Sequence, residues 1–115
     1  MSTYKIWHNP RCSKSRQTLG ILEEKGVDAE VVKYLEETPS VNEIKEILKK
    51  LNISARELMR TKEDEYKSLG LKDETDEDKL IEAMAHHPKL IERPVVIKGD
   101  RAVLGRPPEK VLELI

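Results

Sequence analysis

The chain has 115 residues, 37% of them hydrophobic and 37% charged, with no phenylalanine, a single cysteine and a formal net charge of -1. That length supports one core rather than two, built from Ile, Leu, Val and Met. The near-neutral balance excludes bulk attraction to nucleic acid or to a membrane, so any basic site must be local.

Apolar runs fall far short of the roughly 20 residues that a spanning helix needs. Residues 1–8 also lack the apolar region of a signal peptide. A lone cysteine builds no internal disulfide framework, and a reducing cytoplasm is the expected compartment.

Residues 3–8 alternate in polarity and predict a strand. Asn9-Pro10 breaks it, and a helix is expected from about Ser13 to Lys25, with Leu19 and Leu22 inward and Gly26 as its stop. Residues 29–35 predict a second strand, parallel to the first. Ser40 and Glu43 form a capping-box pair ahead of Val41, Ile44, Ile47, Leu48 and Leu51. Ser54 with Glu57, and Thr61 with Asp64, predict short helical pieces. Thr75 is expected to begin a helix whose Leu80, Ile81, Met84 and Ala85 share one face. Residues 94–98 return to strand, Gly99-Asp100 fits a two-residue hairpin turn, and residues 101–104 run back. A last helix is expected from Pro107 or Pro108, carrying Val111, Leu112, Leu114 and Ile115.

The order β-α-β, helices, β-β-α predicts an α/β, thioredoxin-like fold. Residues 1–115 are expected to form one domain, with a helical insertion at about 40–90. No exposed apolar stripe is evident, so a monomer is expected.

Cys12 falls where the first strand hands over to the first helix. No acidic residue precedes Glu23, whereas Lys5, Arg11, Lys14 and Arg16 all do. The helix start offers unpaired N–H groups and about half a positive charge. Those groups, the nearby cations and a hydrogen bond from the Ser15 hydroxyl are expected to pull the thiol below its free pKa of about 8.5. The same features hold an oxyanion. Dithiol exchange would place a second cysteine at position 15, which is Ser15, so an outside thiol must release any adduct. A cysteine phosphatase would need arginine at position 18, which is Thr18. His86-His87 before Pro88 reads as a polar helix end, and without paired ligand spacing no metal is assigned.

The run His8-Asn9-Pro10-Arg11-Cys12-Ser13-Lys14-Ser15-Arg16, with Leu58-Met59-Arg60, Glu92-Arg93-Pro94-Val95-Val96 and Gly105-Arg106-Pro107-Pro108-Glu109, resembles the glutaredoxin-coupled arsenate reductases. The likeness spans nearly the whole chain. It implies reduction of arsenate to arsenite by a nucleophilic Cys12, with the oxyanion gripped by Arg60, Arg93 and Arg106. Planar guanidinium groups suit tetrahedral oxyanions in a way lysine does not. His8, Asn9, Lys14 and Ser15 would support the thiolate, and Pro94 would be the cis-proline beside it. The partners implied are arsenate or a similar oxyanion, glutathione as co-substrate and glutaredoxin, with no tightly bound cofactor. Three alternatives remain: an Spx-like regulator that binds RNA polymerase, a housekeeping glutathione-dependent thiol oxidoreductase, and an iron–sulfur monothiol glutaredoxin. The last would have Gly-Phe where this chain has Ser13-Lys14.

Overall fold

The computed structural model describes residues 4–115, and Thr3, the first position of the expected strand, lies outside them. The chain divides into two compact units, one of Met1–Glu37 with Arg93–Ile115, the other of Thr38–Glu92. No helix among the described residues is long and apolar enough to cross a membrane.

The first unit is a four-stranded sheet in the order β2-β1-β3-β4. It comprises β1 (Tyr4–Trp7), α1 (Ser13–Glu24), β2 (Ala29–Val32), β3 (Val95–Lys98) and β4 (Arg101–Leu104). β1 pairs parallel with β2 and antiparallel with β3, which pairs antiparallel with β4. This is the thioredoxin-like arrangement. α1 ends as its sequence dictates. Gly26 takes a left-handed φ of 71°, and the Val27 N–H reaches back to the Leu22 carbonyl at 2.8 Å, closing the helix with a Schellman turn.

Ile6, Leu22, Val96, Val111 and Leu114 form the buried cluster of this unit. Each such side chain contributes about 1.5–3 kcal/mol by leaving water. β2 stops at Val32, three residues short of expectation, because the Lys33 carbonyl accepts the Glu36 and Glu37 N–H groups and turns the chain. The last helix differs in kind: Pro108–Leu114 is 3₁₀. Its buried residues Pro108, Val111 and Leu114 recur every third position, the period of that helix. Leu112 and Ile115, the other apolar residues of this helix, are 43% and 48% exposed. The Leu114 carbonyl accepts from the Tyr4 hydroxyl and Lys98 Nζ, and the Glu113 carbonyl from Arg101, so orphan groups at the helix end are met by donors from the sheet.

The second unit holds α2 (Val41–Leu51), α3 (Ala55–Leu58), α4 (Asp64–Ser68) and α5 (Glu77–His86). The Ser40–Glu43 capping box is formed in both directions, and Ser54 caps α3 through the Glu57 N–H. Two expected starts are displaced. Thr61 does not cap α4, because the Glu63 N–H bonds to the Arg60 carbonyl and the helix begins only after that turn. Asp76 rather than Thr75 caps α5, accepting from the Asp78 N–H. Buried Ile44, Ile47 and Leu48 of α2 and Leu80, Ile81 and Met84 of α5 follow helical spacing.

Arg56 ties the shorter pieces together. Its guanidinium donates to the Tyr66 hydroxyl and to the Leu71 and Glu74 carbonyls. Arg56→Met would strand those acceptors, and a loss of about 1–3 kcal/mol is expected. A urea midpoint that falls with an unchanged slope would bear this out; an unmoved midpoint would contradict it.

Candidate active site

The corner between β1 and α1 is fixed by short-range bonds. The His8 N–H donates to the Val32 carbonyl at 2.8 Å, and the Cys12 N–H to the Asn9 carbonyl at 3.0 Å. Asn9 Oδ1 accepts the Arg11 N–H at 3.0 Å, and the Asn9 N–H donates to Ser15 Oγ at 3.1 Å. Arg16 folds back to the Pro10 carbonyl at 2.9 Å. Asn9 therefore acts on the backbone of the loop.

Cys12 is the N-cap residue of α1, in extended geometry. An N-cap side chain faces the N–H groups of the second and third helical residues, which here are Lys14 and Ser15. The sulfur closes no formed cap hydrogen bond, yet these N–H groups interact with it and favour its anion. Burial pushes the thiol pKa up. The Ser15 N–H, hydrogen bonding and charge from the Arg93 side chain, and the Lys14 N–H push it down, and the net position is below the usual thiol value.

Two expectations change accordingly. The Ser15 hydroxyl does not serve the sulfur: it lies 2.6 Å from His8 Nδ1 and accepts from Asn9, so Ser15 contributes its backbone N–H. Lys14 likewise contributes its N–H, and the cation acting on the sulfur is Arg93, which comes from the far end of the chain rather than from beside Cys12. His8 is buried, and desolvation together with the charges of Lys33 and Arg16 lowers its pKa. Burial and these two charges favour its neutral imidazole.

Arg93 reaches the corner through its own turn. The Arg93–Pro94 and Arg106–Pro107 peptide bonds are both cis. The Gly105 N–H donates to the Pro94 carbonyl at 2.9 Å, and Arg106 donates to the Arg93 carbonyl at 3.2 Å. A Cβ on Gly105 would lie 2.6 Å from Thr18 Oγ1 and 2.7 Å from Pro94 Cγ. Only glycine allows this approach. Thr18 thus packs α1 against the two arginine–proline turns, a role its sequence position does not disclose. Arg93 Nε is buried without a hydrogen-bond partner among the described residues, an unused donor on the guanidinium that also acts on the sulfur.

Arg60 belongs to the helical unit. It stands two residues beyond α3, on an extended segment where Met59 bridges Ile91 and the Arg60 N–H donates to the Leu90 carbonyl at 2.7 Å. Its guanidinium pairs with Glu63 and, at 3.5 Å, with Glu92.

The pH dependence follows from the direction of the Cys12 shift. Alkylation by iodoacetamide should reach half its limiting rate below the pH of a free thiol, and Arg93→Gln should raise that midpoint. A midpoint at or above the free-thiol value, unmoved by Arg93→Gln, would contradict the description of the sulfur.

Residues 7–114 match the model of the ArsC family. The chain is 55% identical over 113 residues to the uncharacterized protein YfgD of Escherichia coli (strain K12), covering 96% of this chain and 95% of that one. It is 52% identical over 113 residues to a protein named arsenate reductase from Neisseria meningitidis serogroup A, covering 96% and 97%. A solved arsenate reductase from Vibrio cholerae superposes with a TM-score of 0.95 at 51% identity, covering 97% of each chain. A single-cysteine, thioredoxin-like chain matched over almost its whole length in this way belongs to the ArsC family.

Proposed function

We propose that this protein is an arsenate reductase whose nucleophile is Cys12, with glutathione and glutaredoxin as outside reductants. The observation that carries this reading is a sulfur favoured as its anion beside a guanidinium that keeps a buried, unused donor. Relatives and structures of the same length named arsenate reductase support the oxyanion assignment. Arg106 donates to the Arg93 carbonyl across the two turns, and both guanidinium groups are suited to grip a tetrahedral anion. The part given to Arg60 rests on the sequence resemblance alone.

The steps balance as follows. The Cys12 thiolate forms a bond to the arsenic of protonated arsenate, and one oxygen leaves as water. A glutathione thiolate then attacks Cys12 Sγ, and a sulfur–sulfur bond forms. The sulfur–arsenic pair departs with arsenic, which falls from the pentavalent to the trivalent state and is protonated to arsenite. The two thiolates have together supplied the two electrons. A glutaredoxin thiolate takes the glutathionyl group by disulfide exchange and regenerates the Cys12 thiolate. With Cys12 as the only cysteine, the last two steps must come from outside. Glutathione is a co-substrate in this scheme and no tightly bound cofactor is required. The scheme suits a monomer in a reducing cytoplasm.

A coupled assay tests it. NADPH oxidation with glutathione, glutathione reductase and glutaredoxin should depend on arsenate and vanish in Cys12→Ser. Turnover that survives in Cys12→Ser, or that ignores arsenate, would overturn the proposal.

A further inference from the structure

Four cations stand near the β1–α1 corner and come from two elements. Arg11, Lys14 and Arg16 flank Cys12 along the loop and the first turn of α1, a turn that contains no acidic residue. Lys33 follows β2, and the 2.8 Å bond from the His8 N–H to the Val32 carbonyl places it beside the end of β1. The charges of Lys33 and Arg16 converge on His8, where both depress its pKa. All four side chains are exposed.

Few cations among the described residues are ion-paired, and these four are not among them. Lys5, one strand position from the core residue Ile6, pairs with Glu30, and Lys45 and Arg60 also have carboxylate partners. Among the described residues, Arg11, Lys14, Arg16 and Lys33 have none. Glu36 and Glu37, which follow Lys33, engage it only through backbone N–H bonds to its carbonyl. In a chain of net charge -1, an uncompensated basic cluster at the corner that holds the one thiol selects for negative charge in whatever approaches.

We infer that Arg16 and Lys33, with Arg11 and Lys14 beside them, dock the carboxylates of a small anionic thiol and deliver its sulfur to Cys12 from the carboxyl ends of β1 and β2. This rests on the reading of Cys12 as a one-thiol nucleophile and adds what selects its reductant. The docked thiolate attacks Cys12 Sγ, a new sulfur–sulfur bond forms, and the group already on Cys12 leaves with the bonding pair.

The test needs no arsenate. Cys12 is converted to its 2-pyridyl mixed disulfide, and release of pyridine-2-thione is followed with glutathione and with neutral 2-mercaptoethanol, each at equal thiolate concentration. The Arg16→Gln/Lys33→Gln protein should lose about five- to tenfold in the glutathione rate constant, with little change for 2-mercaptoethanol. Arg16→Lys/Lys33→Arg should restore it. Raising salt from about 0.05 M to about 0.5 M should erase most of the wild-type preference, because exposed charges are screened. Equal losses for both thiols would mean that Arg16 acts only through the Pro10 carbonyl, and would overturn the inference. An unchanged glutathione rate would do the same. Absence of arsenate turnover in the coupled assay would remove the proposed activity while leaving this measurement intact.

Discussion

A helix start needs an acceptor for its unpaired N–H groups, and in α1 the residue at that place is a cysteine. Ser, Thr, Asp and Asn are the usual choices, and they meet the need with oxygen. Cys12 closes no formed cap hydrogen bond, but the same N–H groups favour its anion, so the open helix start activates a nucleophile. The opposing forces are visible at this one atom. Burial disfavours the charge, while the Ser15 and Lys14 N–H groups and the Arg93 guanidinium favour it and prevail. No carboxylate sits in the first turn to compete.

That balance requires the corner and the Arg93 turn to hold still relative to each other, and the first unit is built to do so. Asn9 and Ser15 knit the loop to the helix, with His8 buried behind them and its neutral form favoured. Gly105 lets Thr18 press against the Pro94 turn, and the Gly105 N–H fastens that turn to the end of β4. β1 and β3 are neighbours in the sheet, so residues about 80 positions apart in sequence meet at one end of it.

Much of this was legible in the chain. The alternating runs, the Ser40 capping box, Gly26 and the Gly99-Asp100 hairpin all encode local structure, and local structure is what periodicity and turn chemistry report. The errors arose where a nearby alternative won. Asp76 displaced Thr75 as a cap, and a turn closed by the Arg60 carbonyl displaced Thr61. At the C-terminus a helix is legible, but its 3₁₀ period shows only in which residues are buried, Pro108, Val111 and Leu114. The site was legible in membership more than in role. Cys12 and the arginines stand out by type and motif. That Ser15 serves through its N–H while its hydroxyl goes to His8 depends on side-chain direction, which no spacing reveals. Likewise, Arg11, Lys14 and Arg16 are expected to lower the thiol pKa because they are close in sequence, whereas Arg93, expected at Cys12 to grip the oxyanion, supplies that charge. Arg93 is close only once β3 lies against β1.

The account comes down to a sulfur at the N-cap position of α1 that captures an oxyanion and then passes to an outside thiol. The most direct measurement is the intact mass of the protein after exposure to arsenate and glutathione, with glutaredoxin withheld. The account predicts one glutathionyl group on Cys12 that forms only when arsenate is present and disappears when glutaredoxin is added. A protein that stays unmodified, or that gains the group equally without arsenate, would contradict it.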